Sequence, residues 1–280
     1  MGVFFRSYHK PGKGVDESAP PKRRFFLFFE LYFRKFGKLI NLNLLYFIVG
    51  IPTLYLLYFV TLNSMSIFFT PMLGELPLNE TLLYNLPRLA IFISLIFSCV
   101  WGMGPVTTGL TYIVRNYGRE EHAWLWSDFW EHIGKNFKQS IVVFLIDLFV
   151  IFTFFVAINF YSSRTGFIFG VINIVLIIFF VIYTMMHLYI YPMMVTFKLP
   201  LKALYKNSFI FAMARFPKNI LILALILAFV ILGTINLLAM FLFVPLFLFS
   251  LCGYISTFYA YPTLQKYMIK SDDEVKQDYN

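Results

Sequence analysis

The chain has 280 residues, of which 60% are apolar and 13% charged, against about 25% charged in a soluble domain. So few charges cannot cover an exterior, and so much apolar surface, 36 Phe and 18 Tyr included, cannot be hidden in one soluble core. Soluble enzyme, coiled coil and disordered chain are therefore excluded, an all-α polytopic membrane bundle remains, and the placement of the 23 Lys and Arg decides what the net charge of +9 means.

Residues 1–24 are polar and basic, are expected to form a disordered N-terminal segment, lack a long apolar run and do not read as a cleaved signal peptide. Residues 25–36 hold seven aromatics among Arg34, Lys35 and Glu30, the pattern of an interfacial helix with its basic groups toward anionic headgroups. A crossing helix needs about 20 apolar residues. The first such span is predicted over 42–62, with Pro52 expected to kink it. Residues 63–87 follow as the one sizeable outer loop; its Asn79-Glu80-Thr81 sequon is read as a chance match. The second span, 89–114, is interrupted near its inner end by Gly102, Gly104 and Pro105. Such a break either exposes backbone groups to a ligand or admits close helix packing.

Between 120 and 139 a second amphipathic piece is expected. Trp126, Trp130, Ile133 and Phe137 form one helical stripe, and Glu131 and Lys135 pair at i, i+4. The third span, 140–162, contains Asp147, the one formal charge inside a span. After a short loop the fourth, 167–195, contains His187, the one histidine inside a span. A third amphipathic piece occupies 201–215. Residues 219–265 are then uncharged over a length that as one helix would be about 70 Å, so they must fold back as two spans. These are placed at 219–239 and 243–263, with the turn near 239–244 and Pro245 in the first turn of the sixth helix. Residues 25–270 thus form a single transmembrane domain of about six spans, and 271–280 a polar tail.

Twenty-one of the 23 basic residues fall on one side of this arrangement, and only Arg88 and Arg164 on the other. The bias places both termini in the cytoplasm. The positive charge is therefore a topology signal and a lipid-facing surface, and no nucleic-acid partner is expected. The segment from Gly104-Pro105 to Lys135-Asn136-Phe137 and that from Tyr191-Pro192 to Lys218-Asn219-Ile220 have Pro-to-Asn gaps of 31 and 27 residues, which reads either as a weak internal repeat or as chance similarity in a sequence of biased composition.

Intramembrane polar residues are the default functional candidates. Asp147 and His187 lie at similar depth on two spans joined by a short loop, so they are expected to meet, with Asn43, Thr107 and Thr108 in the same cytoplasmic third. Two readings stand side by side. The cluster is a proton relay or a solute site, since histidine titrates near neutrality, or it holds the helices together through hydrogen bonds. Cys99 and Cys252 lack ligand spacing and read as small core residues. No Walker A loop, GxSxG, HExxH or CxxC occurs, so neither catalytic residue, metal nor cofactor is expected, and the chain is read as a non-enzyme.

The run from Asn43 to Pro52, the motif Gly104-Pro105-Val106-Thr107-Thr108-Gly109-Leu110, the segment Asp128-Phe129-Trp130 with Asn136-Phe137-Lys138-Gln139-Ser140, and Lys206-Asn207-Ser208-Phe209 with Phe216-Pro217-Lys218-Asn219 together resemble the YesL-like family of bacterial integral membrane proteins. The stretch from Tyr55 to Arg88 is longer than that family's pattern. The resemblance implies a plasma-membrane protein without an assigned reaction, associated with carbohydrate ABC import. A non-enzymatic accessory component is then the first expectation, with the lipid bilayer and ABC permease subunits as partners. A stand-alone transporter or channel using an Asp147/His187 site is the second.

Overall fold

The computed structural model describes residues 23–73 and 80–269. Within them the chain is a helical bundle without strands. The helices are α1 (Arg24–Arg34), α2 (Phe36–Leu73), α3 (Glu80–Val100), α4 (Pro105–Gly118), α5 (Leu125–Ser162), α6 (Phe167–Met194), α7 (Leu201–Ala214), α8 (Phe216–Thr234), α9 (Leu237–Phe243) and α10 (Phe249–Met268), with a π-helical turn, Val244–Leu248, between the last two. Five helical stretches are long and apolar enough to cross a membrane, and a sixth is completed if α3 and α4, bent by 54° at their junction, act as one span. The sequon's asparagine, most of segment 1–24 and the tail 271–280 lie outside the described residues.

The local chemistry explains the breaks. Gly102 and Gly104 have φ of +87° and +60°, which residues with a side chain adopt only under strain, and Pro105 opens α4 where its missing N–H costs nothing. A Cβ on Gly102 would also press within 2.8 Å of the Thr107 hydroxyl. Between the fifth and sixth spans the chain reverses at Ile235–Asn236, earlier than the expected 239–244. The Asn236 side chain accepts the Ala239 N–H at 2.7 Å and so starts α9 there, an N-cap stronger than any signal further on. Pro245 consequently sits within the sixth crossing, in the π-helical turn, and not in its first turn. The span boundaries 219–239 and 243–263 shift accordingly.

Two more expectations change. The segment after the first span is largely helix, not loop: α2 runs on to Leu73 and α3 begins at Glu80, so the length beyond the YesL-like pattern is taken up chiefly by helix. The amphipathic piece at 120–139 and the third span are one continuous helix, α5. At 1.5 Å per residue its 38 residues reach about 57 Å, nearly twice the roughly 30 Å hydrocarbon layer. Its first turns, carrying Asp128, Glu131, Lys135 and Lys138, therefore project beyond that layer. The two segments of the apparent repeat are also built differently. One contains the glycine break before α4, whereas α6 continues unbroken through Pro192 to Met194.

The core lies toward the end of the bundle that carries the basic connections. All of α6 from Met185 to Met194 is buried, while Phe167, Ile168, Ile174 and Phe179 in its other half are exposed. The sixth crossing packs centrally, against α2, α4, α6 and α8. Gly109 lets α4 and α5 touch: a Cβ there would meet the Phe129 carbonyl oxygen at 2.8 Å. The exposed apolar belt is far larger than a soluble protein tolerates and suits a bilayer solvent.

Candidate functional site

Asp147 comes from the middle of α5 and His187 from the buried half of α6. Their side chains are fully buried, and His187 Nε2 lies 2.8 Å from Asp147 Oδ1. The short turn between α5 and α6 makes them antiparallel neighbours, so a carboxylate and an imidazole at matching depth come face to face. Tyr183, one helical turn before His187, donates its hydroxyl to the same Oδ1 at 2.5 Å. His187 Nδ1 lies 3.1 Å from the Tyr183 carbonyl oxygen. Asp147 Oδ2 is buried with no hydrogen-bond partner among the described residues, as are the hydroxyls of Tyr191 and Tyr205 and the indole N–H of Trp101. The Trp101 ring stands edge-on to His187 with centroids 6.5 Å apart.

The other candidates belong to different local networks. Thr107 accepts the Met103 N–H at 2.6 Å and shares a 3.0 Å hydrogen bond with the Tyr46 hydroxyl, which fixes the glycine break beside α2. Thr108 donates to the Pro105 and His132 carbonyl oxygens, tying α4 to α5. Asn43 clamps the π-helical turn: its amide donates to the Val244 and Pro245 carbonyl oxygens at 2.9 and 2.6 Å, and its oxygen accepts the Ser250 N–H at 2.7 Å. Gly104 and Pro105 form the break itself. Asp147 and His187 thus meet, whereas Asn43 and Thr108 serve other junctions.

Sequence reasoning missed the tyrosines. Tyr183 was legible as the residue four before His187, on its helix face. So was Tyr191, four residues after His187 on the same face of α6, whereas Tyr205 was not, because only packing brings α7 against α6. A further hub was also missed. Asn219 accepts from the Tyr189 and Tyr259 hydroxyls at 2.8 and 2.7 Å and donates to the Phe211 and Ala212 carbonyl oxygens.

A cavity of about 30 Å³ lies between the glycine break and His187, lined also by Tyr46, Thr107 and Tyr191. That is room for one or two waters. Larger hollows, about 540 and 440 Å³, are outward-facing grooves between α3 and the start of α9, and among α2, α3 and α9. Among the described residues no three His, Cys, Asp or Glu side chains converge as a metal site. Cys99 and Cys252 are free thiols.

A bundle of apolar crossings with sealed polar junctions and a lipid-suited exterior defines a polytopic helical membrane protein. Residues 42–160 match the family model described as "Protein of unknown function, DUF624". The match covers α2 from Leu42 through most of α5. It includes Asn43, Thr107, Thr108 and Asp147, while His187 and Tyr183 lie beyond it. No curated protein and no solved structure matches the chain.

Proposed function

We propose that this protein is a non-enzymatic accessory component of a carbohydrate ABC import system in a bacterial plasma membrane, with both termini in the cytoplasm. The observation that carries the reading is the size of the interior. The space beside the buried polar cluster is about 30 Å³, whereas small-molecule sites run from about 300 to 1,000 Å³. Contact with a partner suits such a molecule better than carriage of a sugar. The basic end offers the surface for contact: Phe25, Phe26 and Phe33 on α1 and Trp124, Trp126 and Trp130 around the start of α5 are all exposed. The cytoplasmic placement rests on the sequence pattern, which assigns 21 of the 23 basic residues to one side of the spans. The link to carbohydrate import rests on the resemblance to the YesL-like proteins, with which the family match is compatible.

The test is co-purification in mild detergent. Enrichment of ABC permease subunits over a control membrane protein is expected, together with a growth defect of the deletion strain on one or more glycans. Absence of both the enrichment and the growth defect would overturn the reading. A second reading, a transporter or channel in its own right, is favoured by one feature: the Asp147–His187–Tyr183 network beside the helix break. Proton or solute flux in reconstituted vesicles, abolished by Asp147→Asn, would establish it in place of the first.

A further inference from the structure

At the basic end, α1, α4 and α10 enclose a pocket of about 140 Å³. Engineered protein cavities of about 150 Å³ hold a benzene-sized ligand. Three guanidiniums line this one, Arg24 from α1 with Arg115 and Arg119 from the end of α4, beside Thr257, Phe258 and Tyr261 of α10. Arg115 is pinned. Its Nη1 donates to the Val195 carbonyl oxygen at 2.9 Å, and its Nε and Nη2 both reach Asn116 Oδ1. Arg24 donates to the Phe258 carbonyl oxygen at 2.8 Å and lies over that residue's ring. Arg119 lies over the Tyr261 ring, with Glu121 at 2.6 Å.

Among the described residues the ion pair made by these three cations is Arg119–Glu121, so the pocket keeps a positive excess. Burial, and after it the nearby Arg215, holds the Arg24 guanidinium below its ordinary range. Like charges gathered around a hollow are unfavourable unless an anion completes them. Basic residues in a helix's last turn also complement its own carbonyl end. That accounts for Arg115 and Arg119, but not for Arg24, which arrives from another helix, nor for the space between them. Planar guanidiniums are matched to phosphate oxygens, two N–H groups to two oxygens.

We infer that this pocket is a binding site for a phosphate group, held between Arg24 and Arg119 over the fixed charge of Arg115. It lies beside the end of α4, at the basic end of the bundle, so an anionic phospholipid headgroup or a soluble phosphate would supply the same chemistry. The site does not depend on the carbohydrate reading.

The test uses the full chain in neutral detergent and follows its unfolding midpoint during titration with phosphatidylglycerol, phosphatidylcholine or inorganic phosphate. A ligand that binds only the folded state raises the midpoint. Phosphatidylglycerol is expected to raise it and phosphatidylcholine is not; R24Q/R119Q should need at least tenfold more phosphatidylglycerol for the same rise. An equal rise with inorganic phosphate, lost in the same variant, supports the site with a soluble ligand. K202Q/K206Q removes two exposed charges from α7 and should respond as wild type. Should R24Q/R119Q fail to fold, R119Q alone is expected to need several-fold more ligand. A wild type that answers neither anionic probe overturns the site, as does a K202Q/K206Q response weakened as much as that of R24Q/R119Q.

Discussion

Asp147 Oδ1 takes both His187 Nε2 and the Tyr183 hydroxyl, so this one oxygen joins two helices deep in the bundle. Removing a partner from such a buried group leaves the remaining polar atoms without water or protein to satisfy them. Asp147→Ala is therefore expected to cost about 3 kcal/mol, measured as a lower thermal unfolding midpoint in detergent. Because Asp147→Ala and His187→Ala abolish the same contact, the double variant should lose less than the two single losses added together. Strict additivity would mean that the pair contributes no coupling.

At the scale of elements, side chains on one helix repair the irregularities of another. Pro245 forces a π-helical turn into the sixth crossing, and Asn43 of α2 takes up the Val244 and Pro245 carbonyl oxygens and the Ser250 N–H. Asn43→Ala orphans all three in a medium without water, so a loss of about 2 kcal/mol or more is expected; chemical unfolding in mixed micelles measures it. The projecting start of α5 supplies a pH dependence. His132 stacks on Tyr112 of α4, and burial, with Lys135 next in effect, lowers its pKa from 6.5 to about 4. The folded state thus refuses a proton that the unfolded chain accepts below 6.5. Stability from this residue is intact above pH 6.5 and falls as pH drops toward 4. His132→Phe keeps a ring against Tyr112 without a titrating group, so its midpoint should fall less between pH 7 and 4.5 than that of wild type.

For the whole molecule, the core gathers at the basic end, and the opposite halves of α5 and α6 expose much of their apolar surface. Lipid must complete that surface, so the fold is expected to hold only in a bilayer or micelle. The charge asymmetry sets its orientation. In a background with Cys99 and Cys252 replaced, a cysteine at Lys206 should be labelled by an impermeant reagent only from the cytoplasmic side, and one at Arg164 only from the outside. Labelling of both from the same side would refute the six-crossing topology.

The sequence by itself determined the class of this protein, because apolar runs of membrane length and a one-sided basic distribution are properties that no packing can reverse. It also carried the meeting of Asp147 with His187, since a short loop leaves two neighbouring helices little choice of register. It did not carry the reversal at Asn236, where one cap hydrogen bond outweighed the proline nine residues later. Nor did it carry the roles of Asn43, Thr108 and Asn219, which answer backbone groups distant in the chain. The tertiary structure decided these because a buried polar atom in an apolar medium must find its partner wherever packing places one. For the same reason Arg24 and Arg119, about a hundred residues apart, become walls of one pocket only when α1 lies against α4 and α10.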